Sequence, residues 1–306
     1  NETTEKVDNL GGVLSAAFIG TLIVAINFLP VPNLKSTALI LLGVALVAAA
    51  LFVLRQRRAE NPIYDLKVAG RSTFWVAGLG GIIVFGSLMG VAYIGQQYMQ
   101  NVLGYSTLGA GAAILPVVLV MPLVAPRSAT LVEARGSRFT LLFGQSFLLL
   151  AFIFMLAFWD EGISYALVAI PFVLVAIGVG LAGTPSSNSL TGSVPVKRVG
   201  MASGTADLQR DLGGALMTSI FGALLTAGYA SAVGNAISAS GQNVSESTQS
   251  QLQLSFASAE DLASQNPQYA KQITSAAQQS FVDGDKWAFA AACVAVILGM
   301  AIVARF

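Results

Sequence analysis

The chain has 306 residues, 55% of them hydrophobic and 10% charged, with a formal net charge of +1 and a mean hydropathy of +0.72. Ordinary globular domains carry about 25% charged residues, so the composition excludes a soluble domain and describes a polytopic membrane protein, with no charge excess to attract nucleic acid. The absence of histidine and the single cysteine, Cys293, exclude an internal disulfide, a Cys/His metal cluster and a Ser-His-Asp triad, so neither a cofactor, a metal nor an enzyme activity is expected.

Residues 1–9 are polar and acidic and do not form a signal peptide; they are expected to be a cytoplasmic linker within a longer protein. A membrane span needs about 20 mostly apolar residues, and eight segments qualify: 10–29, 37–54, 73–96, 108–125, 139–159, 163–184, 200–229 and 287–303. The fold class is therefore an all-α integral membrane bundle of eight helices. Short basic loops stay in the cytoplasm. With the first residue inside, the inner segments collect Lys6, Arg55, Arg57, Arg58, Lys67, Arg71, Arg127, Arg135, Arg138, Lys197, Arg198 and Arg305, and the outer ones only Lys35, Lys271 and Lys286. That asymmetry predicts a multi-pass protein of the cell membrane with both ends of this segment cytoplasmic. Tyr98, Tyr105, Trp159, Tyr165, Tyr229 and Trp287 then fall near the outer interface, where aromatic belts lie.

The third and sixth spans are rich in glycine, which lets helix backbones approach closely in lipid. Gly178 to Gly183 also matches a G-x-G-x-x-G pattern, but no strand precedes it, so a dinucleotide site is rejected. Residues 230–286 form the single long connection, on the outer side. Asn266 and Pro267 followed by Tyr269, Ile273, Ala277 and Phe281 predict a capped amphipathic helix, and residues 252–263 predict a second, giving a helical hairpin over the outer mouth. Asn243-Val244-Ser245 matches a glycosylation sequon, a pattern common by chance.

Four stretches together resemble the fourteen-spanning drug:proton antiporters of the major facilitator superfamily, of the QacA/EmrB type. They are Glu60-Asn61-Pro62-Ile63-Tyr64-Asp65-Leu66-Lys67 with Ser72-Thr73-Phe74; Tyr98 to Ser106 with Ala110-Gly111 and Leu115-Pro116; Leu131 to Arg138, a weak copy of the superfamily's cytoplasmic G-x-L-x-D-x-x-G-R loop with Glu133 as its acid; and Val194-Pro195 through Gly200, Ala202-Ser203-Gly204, Arg210 and Leu212-Gly213-Gly214. The resemblance implies that residues 10–59 are the extra helix pair between the two halves of such a transporter. It implies that residues 60–306 are the C-terminal six-helix half, and that an N-terminal half, absent from this sequence, is its partner. It further implies export of lipophilic or cationic small molecules in exchange for protons, from within membrane lipids. A lipid or metabolite exporter on the same scaffold, or a scaffold or receptor-like subunit without transport, are the alternatives.

The stretch from Gly200 places Asp207, Arg210 and Asp211 in or beside a span, and intramembrane ionisable groups are functional candidates by default. A buried Asp207 or Asp211 would carry a proton, because burial favours the neutral acid. Counting about 20 residues back from Tyr229 instead puts Arg210 at the inner boundary, and favours a gate latch built from an i, i+3 and i, i+4 ion-pair cluster. Asp211 departs from the neutral residue usual at that place in the family. On the third span Phe85, Met89, Tyr93 and Gln96, with neighbouring Gln97, form an aromatic and polar stripe; the resemblance implies that this span lines the central cavity and that the stripe contacts substrate, the alternative for its apolar members being a helix-packing stripe. Glu133, Arg135 and Arg138 read most simply as a solvated cytoplasmic loop, and the resemblance implies that they help govern the inner gate.

Overall fold

The computed structural model describes residues 8–31, 33–241 and 244–305. Lys6, Asn243 of the sequon and the side chain of Lys197 lie outside the described residues. Within them the chain is all α: α1 (Asn9–Phe28), α2 (Lys35–Arg58), α3 (Leu66–Ala69), α4 (Ser72–Asn101), α5 (Thr107–Ala113), α6 (Leu115–Arg135), α7 (Ser137–Phe158), α8 (Tyr165–Gly192), α9 (Val199–Ser240), α10 (Glu246–Leu254), α11 (Phe256–Gln265) and α12 (Ala270–Arg305), with a 3₁₀ turn at Val196–Arg198. Eight helical segments are long and apolar enough to cross a membrane, as the hydrophobic runs predict. Prolines lie inside α6 and α8, and the Leu181 carbonyl, four residues before Pro185, accepts from Ser128 Oγ of α6 at 2.6 Å, the kind of partner that lets a spanning helix tolerate proline.

Helices α4, α7, α8, α9 and α12 pack against one another, α6 lies on α8, and α1 pairs with α2 and touches the rest mainly through α9. There Asn27 Nδ2 donates to Ser219 Oγ at 2.9 Å. The core is apolar, with Val84, Ile94, Leu148, Phe152, Phe172, Phe221 and Phe289 buried. Small residues set the closest approaches. A methyl on Gly213 would lie 2.6 Å from the Ile82 carbonyl oxygen and 3.2 Å from the Gly86 nitrogen, one on Gly144 would lie 2.7 Å from the Gly178 carbonyl oxygen, and one on Gly228 would lie 2.8 Å from the Gly284 Cα. Gly178 belongs to α8, in keeping with the packing reading rather than a nucleotide turn.

All the Arg-rich helix ends lie at one end of the bundle, and side-chain bonds fasten that end. Asp8 caps α1 by accepting from the Gly11 amide at 3.1 Å, and also accepts from Arg55 Nε and Gln56 Nε2 at 3.0 Å each. Gln56 Oε1 in turn accepts from the Tyr64 amide at 2.9 Å. The same incoming loop pairs Asp65 with Arg198 at 3.3 Å, and Arg71 Nη1 reaches the Ser193 carbonyl at 3.0 Å.

The opposite end differs from the sequence expectation. α9 continues eleven residues past Tyr229 to Ser240, and α12 begins at Ala270, so the predicted amphipathic helix is not a separate element but the first turns of the last span. At about 1.5 Å per residue these helices reach about 63 and 54 Å, well beyond a hydrocarbon core of about 30 Å. The hairpin is α10 and α11 instead, each capped by a serine, Ser245 and Ser255, and α11 packs on α12 while α10 packs on α9. Between these four helices lies a cavity of about 480 Å³ walled in part by Val233, Ile237, Leu252 and Ile273. A second correction concerns the aromatic residues. Tyr98, Trp159 and Tyr229 are buried rather than set in an interfacial belt, whereas Tyr165 and Trp287 remain exposed. Tyr229 donates to the Ser255 carbonyl at 3.3 Å and meets Phe281 edge-on.

Candidate functional site

α4 and α9 lie side by side and share one open edge. Phe85, Met89, Tyr93 and Gln97 follow one another at single-turn spacing on α4, and glycines of α9 and α8 make room for them. Methyl groups on Gly214, Gly222 and Gly183 would meet Met89 Cγ at 3.0 Å, Tyr93 Oη at 3.3 Å and Phe85 Cζ at 3.4 Å. Met89 is 45% exposed, so the stripe is not buried packing throughout. Gln97 Nε2 donates to Tyr93 Oη at 3.4 Å and Gln97 Oε1 accepts from Asn101 Nδ2 at 3.2 Å, which extends the stripe as a polar ladder. Gln96 is exposed beside it, its carbonyl accepting from the Gln100 side chain at 3.3 Å.

Arg210 joins this stripe, because its guanidinium lies over the Phe85 ring at 5.0 Å. The arrangement keeps a cation against an aromatic face. The local ion-pair cluster expected with Asp207 and Asp211 is not formed, since neither carboxylate is within salt-bridge distance of Arg210 and the guanidinium turns to the ring instead. Asp207 and Asp211 are both exposed on the same side of α9, so this chain does not itself supply the burial that a proton carrier needs. The depth argument also loses its marker, because Tyr229 is buried under the cap. At the basic end, Glu133 and Arg135 occupy the last turn of α6 and Arg138 the first turn of α7, separated by Gly136 at φ 86°, rather than an extended loop. All three are exposed, and Arg135 lies over Phe139 at 5.4 Å.

Three buried polar side chains escaped the sequence reading. Gln209 is 2% exposed and sits between Gly81 of α4 and the serines of α8, with Nε2 donating to Ser187 Oγ at 3.5 Å and Oε1 unpartnered. The alternation of Ala202, Ala206, Gln209 and Gly213, all buried, is the signal that places it on the packed face, opposite its charged neighbours. Gln145 of α7 is fully buried, with neither amide atom bonded. Asp285 of α12 is 1% exposed and equally unpartnered; the sequence had assigned it to the outer loop. Among the described residues no group of carboxylates and thiols is arranged to hold a metal.

The fold is that of a multi-pass helical membrane protein. The family model described as the Major Facilitator Superfamily matches residues 7–218, and the chain belongs to that superfamily. It is 32% identical over 228 residues to the multidrug resistance protein Stp of Mycobacterium tuberculosis, covering 74% of this chain and 42% of Stp. It is 29% identical over 227 residues to the multidrug efflux pump LfrA of Mycolicibacterium smegmatis, covering 74% and 45%. With the quinolone resistance protein NorB of Staphylococcus aureus the identity is 25% over 185 residues, covering 60% and 40%. The chain thus spans less than half the length of these curated relatives.

Proposed function

We propose that this chain forms one wall of the transport path of a secondary multidrug exporter, which exchanges lipophilic and cationic compounds for protons by alternating access. It is a transporter of the cell membrane and not an enzyme. In this reading residues 60–306 are one six-helix half, residues 10–59 an additional pair, and the open edge faces the other half. The observation that carries it is the stripe Phe85, Met89, Tyr93 and Gln97, lined up on α4 with Arg210 closing its basic end. Superfamily binding sites lie near the midplane, at the interface of the halves, and an aromatic face with amide oxygens suits a lipophilic cation. The names of Stp, LfrA and NorB support the drug class. The Arg-rich end is cytoplasmic by the positive-inside rule; in this reading Glu133, Arg135 and Arg138 belong to an inner gate, with Asp207 and Asp211 beside it and the helical cap outside.

The test is dye binding and dye efflux from everted vesicles with the full-length protein. An aromatic face opposite a cation is worth about 0.5–2 kcal/mol, so Tyr93→Ala is expected to weaken binding of a cationic dye about two- to thirtyfold. Asp207→Asn and Asp211→Asn are expected to impair efflux driven by a proton gradient. Unchanged dye affinity in Tyr93→Ala together with unchanged efflux in both carboxylate variants would remove this edge from the transport path.

A further inference from the structure

Two carboxylates are buried among the described residues, and their circumstances are opposite. Asp8, 6% exposed, accepts from an amide, a guanidinium and a carboxamide. Asp285, 1% exposed, has no hydrogen-bond partner at either oxygen and no cation within salt-bridge distance. It follows Gly284, at the place where the backbones of α9 and α12 meet: a methyl on Gly284 would lie 2.7 Å from the Leu225 carbonyl oxygen and 2.9 Å from the Tyr229 nitrogen.

The groups around Asp285 offer no counter-charge. From α4 comes the phenol of Tyr98, which lies within its electrostatic reach and donates to the Asp160 carbonyl at 2.5 Å. Beyond the end of α7 come Trp159, stacked on Tyr98 at 4.5 Å and edge-on to Phe289 at 5.6 Å, and the exposed Asp160 and Glu161. Trp159 Nε1 is itself buried without an acceptor. From α9 comes Tyr229, bonded to Ser255; the carboxylates of α11, Glu260 and Asp261, are exposed. On α12 itself Lys286 is held by Asp283 at 3.2 Å, on the exposed side. Every charge near the site is thus negative, or already paired outward.

A carboxylate ion in such surroundings loses its hydration with nothing in return, whereas the neutral acid loses far less. We propose that Asp285 is a proton-binding site near the capped end of the bundle, closed off by the packing of α9 on α12, which loads and releases its proton when that packing opens. It is distinct from the charged group at the basic end, which lies roughly 28 Å away along α9, counting 19 residues from Arg210 to Tyr229 at about 1.5 Å each. The role in exchange rests on the exporter reading above; the occupancy of the site by a proton does not.

Infrared difference spectroscopy on the purified full-length protein tests the occupancy. The wild type is expected to show the carbonyl band of a neutral carboxylic acid at neutral pH, lost reversibly on alkaline titration, missing from Asp285→Asn and shifted rather than deleted in Asp285→Glu. Asp207→Asn should leave that band in place. Identical bands in wild type and Asp285→Asn overturn the proposal, as does a wild type with no such band. Asparagine matches the neutral acid in size, so the variant is expected to fold; the glutamate variant and the wild-type titration decide the question even where it does not. In reconstituted vesicles Asp285→Asn is expected to lose the stimulation of dye efflux by a proton gradient, and Asp285→Glu to restore it. A full gradient response in Asp285→Asn overturns its role in exchange, while a wild type that ignores the gradient refutes the exporter reading and leaves the infrared result standing.

Discussion

Replacing Gly213 by alanine places one methyl group where α4 and α9 touch. All three nearest atoms are backbone, namely the Ile82 carbonyl oxygen at 2.6 Å, the Ile82 Cα at 3.0 Å and the Gly86 nitrogen at 3.2 Å, so no rotamer change relieves the clash and the helices must part. Overpacking of this kind costs about 1–3 kcal/mol, against which alanine gains up to about 1 kcal/mol in helix propensity. Gly43→Ala on α2 supplies the control, because nothing lies within 4 Å of a methyl at that position. Propensity cancels between the two variants, and the difference in their unfolding free energies in mixed micelles should be the steric term alone, about 1–3 kcal/mol with Gly213→Ala the less stable. Parting the helices also moves Met89 and Tyr93 relative to Gly214 and Gly222, so dye affinity should fall with stability. Equal stability of Gly213→Ala and Gly43→Ala would refute the claim that this contact sets the α4–α9 spacing.

Two further outcomes follow from the buried polar groups. Burial pushes the Asp8 carboxyl up, but the Gly11 amide, the Arg55 guanidinium and the Gln56 amide outweigh it and hold it below the usual carboxylate range. Its contribution is therefore fully present above the unfolded carboxylate pKa and lost as the pH falls through the lower folded value; Asp8→Asn should flatten the acid limb of the stability profile, and a limb unchanged in that variant would show that the α1–α2 fastening does not depend on this charge. Gln209→Leu removes a buried acceptor that has no donor, so it is expected to cost under about 1 kcal/mol or to stabilise, and a loss of more than about 3 kcal/mol on unfolding would mean that Oε1 is bonded in the folded protein.

The spans were legible because each is an apolar run long enough to cross lipid, and the stripe on α4 because its members repeat every turn. Superfamily membership was legible in four short motifs, of which Leu212-Gly213-Gly214 also marks a close backbone-to-backbone contact of α9 with α4. The cap was only partly legible. Residues 230–240 and 270–286 are rich in Ala, Ser and Gln and carry no sustained hydrophobic signal, so their continuity with α9 and α12 comes from packing against α10 and α11 and not from their own pattern. That same misplaced boundary put Asp285 in a solvated loop and Tyr229 at an interface. The ion-pair cluster of Asp207, Arg210 and Asp211 failed for a different reason: spacing along a helix allowed it, but a ring on a neighbouring helix competed for the guanidinium.

α12 is a single unbroken helix of 36 residues, crossed near Gly284 by α9. It therefore acts as a lever with unequal arms, roughly 21 Å toward the cap and roughly 32 Å toward the basic end at about 1.5 Å per residue. A tilt of about 10° about that crossing would carry the cap end roughly 4 Å one way and the Arg305 end roughly 6 Å the other. Displacements at the cap and at the basic end are thus tied in a ratio of about two to three, set by where one glycine falls in the sequence.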